Sequence, residues 1–316
     1  MLKWAVYSFL LASIFCACNF NKQPSYNLDL EDSKLLPNIS SGSGIILRNQ
    51  KVFIVSDNMN GYFSMDTSTS TQQFYSFNND DSAYIQEKNI KEDFESASII
   101  LINGEENILA VSSGSIDSSR QQLLIFPIKA PQNNKIVKAI WLYDIIKQDL
   151  KISTSQLNIE GAFTARDSLY LLNRGTNQAI AIPLVSLQNQ LEEEPFVQPA
   201  ARVTSFSLPL LDGFPVAFSG ACYYKEDTFL FTASVEKTND WVADGEVAGS
   251  YIGMAKLDGT VLFLLPLLDR KGNRIKQKLE SLDIIHQQAN GNIALFAISD
   301  NDNGQSTWFR LTLHLE

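Results

Sequence analysis

Three glutamates stand at matching places in successive segments of this 316-residue chain: Glu95, Glu160 and Glu280. They open the runs Glu95-Ser96-Ala97-Ser98-Ile99-Ile100, Glu160-Gly161-Ala162-Phe163 and Glu280-Ser281-Leu282-Asp283-Ile284-Ile285. Ser41-Gly42-Ser43-Gly44-Ile45-Ile46 and Ser219-Gly220-Ala221-Cys222 complete the series with serine leading. A second polar column follows each run and holds Asp57, Ser113, Arg174, Glu236 and Asp300. If the columns meet in space, Glu95, Glu160, Glu280, Asp57, Glu236 and Arg174 form a charged, ligand-binding cluster. Like charges at close range raise one another's pKa unless a cation partners them. The candidate partners are Arg174, Arg310 or a hard cation such as Ca²⁺, which takes six to eight oxygen ligands. Asp300 and Asp302, with Glu160 and Glu280, are the candidate metal ligands. Asp300-Asn301-Asp302-Asn303-Gly304 has the composition of a calcium loop, but Arg310 stands where an EF-hand needs its closing glutamate. A tight Asp/Asn turn is the alternative for that segment. For the glutamates the alternative is structural: they would accept hydrogen bonds from backbone N–H groups between repeats.

The elements that must position these residues are short strands. The period of roughly 60 residues marks a repeat architecture. Each repeat carries runs rich in Ile, Val, Phe and Tyr, separated by turn signals such as Arg48-Asn49-Gln50, Asn103-Gly104 and Asp258-Gly259. The first four repeats each supply four strands; the fourth strand of the second repeat is expected over 136–143. The fifth repeat supplies three, and Tyr26–Leu30 is the spare strand that would close the ring. The expectation is an all-β fold, a β-propeller of about five four-stranded blades closed by the N- and C-terminal strands. Six blades would require further strands within 78–94 or 186–200. A short helical turn is expected outside the ring at 144–151, and an acidic loop at 188–199. In a propeller the first strand of each blade lines the axis, so both polar columns gather at one channel mouth.

Other chemistries find little footing. Gly-x-Ser-x-Gly, a Walker loop and a dinucleotide fingerprint are absent from the sequence. The two histidines are His286, expected in a turn, and His314 in the last strand, so neither a catalytic triad nor a histidine-rich zinc site is expected at the mouth. A net charge of −10 without a basic cluster argues against nucleic acid. Cys222, in an apolar run, reads as a buried thiol.

Residues 1–17 have the layout of a bacterial lipoprotein signal peptide: Lys3, then an uncharged run from Trp4 ending at Ala17-Cys18. Cys18 is the expected lipidation site and Cys16 its rival. Residues 18–38 would be anchor, tether and closing strand, and 39–316 the propeller domain. The expected place is the bacterial cell envelope, facing periplasm or cell surface. The expected partners are the membrane through the lipid alone, and a small ligand or an envelope protein, with the chain a monomer.

Four segments resemble the bacterial propeller domains named for the esterase-like activity of phytase. They are Ile159-Glu160-Gly161-Ala162; Ala233-Ser234-Val235-Glu236 with Asp244-Gly245-Glu246-Val247-Ala248-Gly249-Ser250; Lys278-Leu279-Glu280-Ser281-Leu282; and Ser299-Asp300-Asn301-Asp302. The resemblance spans most of 40–315 and implies an exported propeller. The chain departs from the Glu-Gly pattern at Ser41, Ser219 and Glu280-Ser281. Two functions follow: a non-catalytic envelope propeller that binds a ligand, metal or protein at one channel face, or a Ca²⁺-dependent phosphoesterase of the phytase-like type. The second needs several Lys or Arg side chains for phosphate, and the columns supply Arg174.

Overall fold

In the computed structural model, which describes residues 25–78, 82–116, 119–192, 200–238, 245–301 and 303–315, the strands form five four-stranded antiparallel sheets. Blade one comprises Gly42–Arg48, Lys51–Ser56, Gly61–Asp66 and Gln72–Ser76. Blade two comprises Phe94–Ile102, Glu105–Ser112, Gln122–Pro127 and Lys135–Lys138. Blade three comprises Ile159–Ala165, Ser168–Asn173, Gln178–Pro183 and Arg202–Ser205; blade four comprises Ala217–Lys225, Thr228–Glu236, Val247–Lys256 and Val261–Pro266. Blade five takes Lys278–Gln287, Ile293–Asp300 and Ser306–Leu315 from the end of the chain and Tyr26–Leu36 from its beginning. That closing strand pairs from Tyr26↔Leu315 to Leu36↔Ser306, well past the expected Leu30. The first strand of each blade neighbours that of the next, and the fifth neighbours the first, so the ring is closed. Among the described residues no sixth blade forms: residues 82–93 contribute one isolated bridge, Met59↔Ile85.

Side-chain alternation explains why the strands are apolar on both faces. Successive residues of a strand point to opposite sides of the sheet. Leu169 and Leu171 enter the core between blades two and three, while Tyr170 and Leu172 enter the core between blades three and four. Phe229 and Phe231 likewise face blade three, and Leu230 faces blade five. The remaining cores join blades one and two through Phe53, Tyr62 and Phe126, and blades five and one through Ile54, Phe63 and Ile298. Five interfaces thus hold five apolar clusters, and the hydrophobic stabilisation is spread around the ring.

Four local expectations are corrected. The strand expected over 136–143 stops at Lys138, and a helix, α1 (Ile140–Leu150), takes its place. It is no outer turn: Leu142, Tyr143, Ile146 and Leu150 are part of the core between blades two and three. A Cβ on Gly114, whose φ is +76°, would lie 2.6 Å from the Tyr143 ring. The loop expected from 188 begins as helix α2 (Leu184–Leu191), with residues 193–199 outside the described set. His286 lies within a strand rather than a turn.

Candidate functional site

Every inner strand carries a register shift at the same height. The shifts fall between Gly42 and Gly44, Phe94 and Ser96, Ile159 and Gly161, Phe218 and Gly220, and Leu279 and Ser281. The skipped residues are Ser43, Glu95, Glu160, Ser219 and Glu280. A bulge bends its strand and re-aims a side chain, which places this column at the channel mouth. It also corrects the alignment of blade one: Ser43, not Ser41, is the equivalent of Glu95. The Ser43 hydroxyl donates to the Phe94 carbonyl and links two blades.

The mouth is a cavity of about 390 Å³. Glu95, Glu160, Glu280 and Glu236 line it, as do Asp57, Asp300 and Arg174. Asp302 lies outside the described residues, as do Cys18 and Cys16. Arg310 is not at the mouth; it is exposed on blade five beside Leu47 and Gln50. Both histidines are likewise remote, and His314 meets Asp29 at 2.9 Å on the closing strand.

Four cations missed in the sequence complete the cluster: Lys91, Arg120, Lys278 and, at the edge, Lys88. Lys278, Asn158 and Asp93 each stand two residues before a bulged glutamate. Alternation along the strand could therefore have revealed them as a third column. Lys91 and Arg120 come from connections outside the repeat, where no periodic signal exists.

On the side of blades three to five, Arg174 Nη1 meets Glu160 Oε2 at 3.2 Å and Arg174 Nη2 meets Glu236 Oε2 at 3.5 Å. Arg174 also donates to Ser234 Oγ at 2.9 Å and to the Phe218 carbonyl at 3.2 Å. The Lys278 ammonium lies 3.2 Å from Glu280, 3.7 Å from Glu160 and 3.7 Å from Glu236. Asn158 Nδ2 donates to Glu160 Oε1 at 2.8 Å. Burial opposes the charges on Arg174 and Lys278, but the glutamates around them outweigh it and raise both pKa values. Burial also raises Glu280 well above the usual carboxylate range, with Lys278 opposing and Glu160 adding to the shift.

On the side of blades one and two, Lys91 bridges Asp57 and Asp93, the latter at 2.6 Å, and Arg120 meets Asp93 at 2.9 Å. Ser113 Oγ also donates to Asp93. Asp57 Oδ1 is buried without a hydrogen-bond partner. Burial pushes the Asp57 pKa up to about 6, with Lys91 opposing and Asp93 adding. Glu95 has no ion pair and no side-chain hydrogen bond among the described residues. Burial, with Asp93 and Asp57 adding and Lys91 and Lys278 opposing, raises its pKa well above the ordinary range. Carboxylate oxygens of Asp57, Asp93 and Glu95 lie within 4.8 Å of one another. That is the better oxygen set for a dication, although Lys91 already binds two of its members. Glu160 and Glu280 are engaged by Arg174 and Lys278, which fits poorly with a Ca²⁺ site built on them.

The far ends of the inner strands form a second cavity of about 300 Å³, lined mainly by small and apolar residues including Ala97, Ala162 and Phe163. Cys222 lies there, its thiol raised well above its ordinary pKa by burial and by Asp283, so it is not a ready nucleophile.

Fold and site together define a five-bladed β-propeller with a charged channel mouth. The chain belongs to a family of unknown function, DUF6929, whose model matches residues 38–313. No curated protein matches it. Among solved structures it is similar to a glutaminyl cyclase from Myxococcus xanthus, at 10% identity over 92% of this chain and 97% of that one, with a TM-score of 0.49. It is similar to a luciferin-regenerating enzyme at 10% identity, 89% and 94% coverage and a TM-score of 0.44. The WD40 propeller domain of Doa1 matches at 11% identity, 90% and 97% coverage and a TM-score of 0.38. The resemblance to the phytase-named propellers rests on its four segments alone.

Proposed function

We propose that this chain is a non-catalytic binding propeller of the bacterial cell envelope, lipid-anchored at Cys18, whose mouth accepts a ligand bearing a small positive charge. Glu95 carries the reading. It opens into a cavity where the other glutamates are ion-paired to the protein's own cations, whereas Lys91 and Lys278 act on it only from beyond ion-pair distance among the described residues. Burial raises the Glu95 pKa, so a ligand cation competes with a proton for this carboxyl group, and low dielectric strengthens the ion pair that results. Of the basic groups, Lys91, Arg120, Arg174 and Lys278 are each ion-paired to a carboxylate, and Lys88 stands at the edge of the cavity.

A ligand that binds only the folded state raises the melting temperature by mass action. Cadaverine at millimolar concentration should raise that of the wild type and leave Glu95→Gln unmoved. A shift with inorganic phosphate and none with cadaverine would overturn the reading. For the anchor, metabolic lipid labelling should vanish in Cys18→Ala and persist in Cys16→Ala; the reverse pattern moves the lipid to Cys16.

The proximity of Asp57, Asp93 and Glu95 favours a second reading, the Ca²⁺-dependent phosphoesterase. It requires Lys91 to leave the carboxylates and a dication to replace it. Ca²⁺-dependent hydrolysis of 4-nitrophenyl phosphate, abolished by chelation and by Glu95→Gln, would establish it.

A further inference from the structure

Beside the charged mouth stands an apolar rim. Tyr84, Ile85, Ile90 and Ile116 are 48%, 56%, 59% and 42% exposed. They belong to two connections, residues 82–91 between blades one and two and, within blade two, residues 113–116 with 119–120. Ile85 lines the cavity itself and Tyr84 precedes it; Lys88 and Ser115, which line it too, stand two residues before Ile90 and one before Ile116. Both connections are fastened. The Tyr84 N–H donates to Asn60 Oδ1 at 2.8 Å and the Gln86 N–H to the Asn58 carbonyl at 2.7 Å. Arg120 Nη2 donates to the Lys88 carbonyl at 3.1 Å and Nη1 to Ser115 Oγ at 2.9 Å, which joins the two connections. The apolar side chains are thus displayed on a pre-arranged backbone. Four exposed large apolar side chains on two joined connections, one of them in the lining of a polar cavity, favour an interaction site over scattered surface exposure.

The occupant must satisfy two chemistries at once. Glu95 calls for a positive group in a cavity whose volume suits one long side chain or a small molecule. The rim calls for apolar surface next to that group. A free amine leaves the rim bare, and the acidic mouth repels the anionic headgroups that a membrane would bring. We propose that the mouth recognises a polypeptide segment in which a lysine or arginine is flanked by apolar residues. The basic side chain enters toward Glu95, and its neighbours cover Tyr84, Ile85, Ile90 and Ile116. This rests on the proposed function above and names its partner class.

The test uses the full chain on an array of heptapeptides whose fixed central residue is Lys, Arg, Glu or norleucine. The strongest basic peptide is then resynthesised and its affinity compared with that of Nα-acetyl-lysine amide and of anionic vesicles. Lys and Arg peptides with apolar flanks should dominate. The chosen peptide should bind at least about tenfold tighter than the amide, one decade of affinity being the smallest clear gain from added contacts. Ile90→Ser, at a rim position outside the cavity lining, should remove that gain and leave the amide's own affinity unchanged, whereas Glu95→Gln should weaken both. Should Ile90→Ser melt below the wild type, Ile116→Ser, also outside the lining, decides the same point. Equal affinity for peptide and amide overturns the peptide proposal and leaves the small-cation reading standing. Vesicle binding lost in Ile90→Ser overturns it in favour of a membrane. Failure of both peptide and amide overturns both readings.

Discussion

The two halves of the mouth each set three carboxylates around two strong cations, with Asp300 and Lys88 besides, and connect them differently. Glu160, Glu236 and Glu280 share Arg174 and Lys278, and all three are in ion pairs between 3.2 and 3.7 Å. Asp57, Asp93 and Glu95 share Lys91 and Arg120, but both cations converge on Asp93 and Glu95 is left out. The origin of the cations explains the difference. Lys278 lies on the same inner strand as Glu280, two residues earlier, and its ammonium reaches glutamates of three blades. Lys91 and Arg120 come from connections and are drawn to Asp93, where Ser113 and Ser115 add hydrogen bonds. The saturated half braces blades three, four and five. The open half keeps a desolvated carboxylate facing the cavity. On the proposed function, the structural and binding roles that are alternatives in the sequence divide between the halves.

The largest effect should come from breaking what both halves depend on. Deleting residues 25–36 removes the outer strand of blade five and exposes the Leu311–Leu313 core. The loss should rival a typical total stability of about 5–15 kcal/mol, and circular dichroism should find little folded protein. A truncated chain melting like the wild type would show that the strand is dispensable. Next is Arg174→Leu. Removing one member of a buried ion cluster leaves the others uncompensated, at a cost of about 3–5 kcal/mol. Denaturant unfolding should register that loss, and a variant within 1 kcal/mol of wild type, roughly the worth of an exposed pair, would refute the brace.

The contrast sharpens with two matched substitutions. Glu160→Gln should destabilise, because Arg174 and Lys278 lose a partner. Glu95→Gln should stabilise by about 1 kcal/mol, since it relieves an unpaired carboxylate, at the expense of binding. Equal signs for the two would erase the distinction between the halves. The smallest effect concerns pH. Asp57 has its folded pKa raised to about 6 from 3.8, so between those values the folded state holds a proton that the unfolded state has released. Its contribution to stability is therefore complete below about pH 4 and is lost as pH rises through 6. Measured against Asp57→Asn, the wild type should lose melting temperature across that window; a flat difference would place Asp57 in an ordinary environment.

Much of this was legible in the sequence because propeller geometry converts repetition into proximity. Glu95, Glu160 and Glu280 could be brought to one mouth from their spacing, and a fifth blade short of a strand pointed to the N-terminal segment. The bulges were harder to see. Without them Ser41 aligns with Glu95 by its distance to the following isoleucines, whereas the chain skips at Ser43. The helix α1 was half hidden, because Ile140 to Tyr143 has the composition of a strand and its helical partners lie beyond. Lys91 and Arg120 left no trace, since their positions depend on how two irregular connections fold against each other. The wiring that separates the halves was therefore visible only in three dimensions.

The claim that Glu95 is the mouth's open acceptor is tested most directly by calorimetric titration of Nα-acetyl-lysine amide into the wild type and Glu95→Gln at pH 6, 7 and 8. Burial raises the Glu95 pKa, so a cation and a proton compete for the same carboxyl group. The account predicts wild-type affinity that rises with pH, and no binding heat in Glu95→Gln. Equal heats in the two proteins, or wild-type affinity that falls as pH rises, would contradict it.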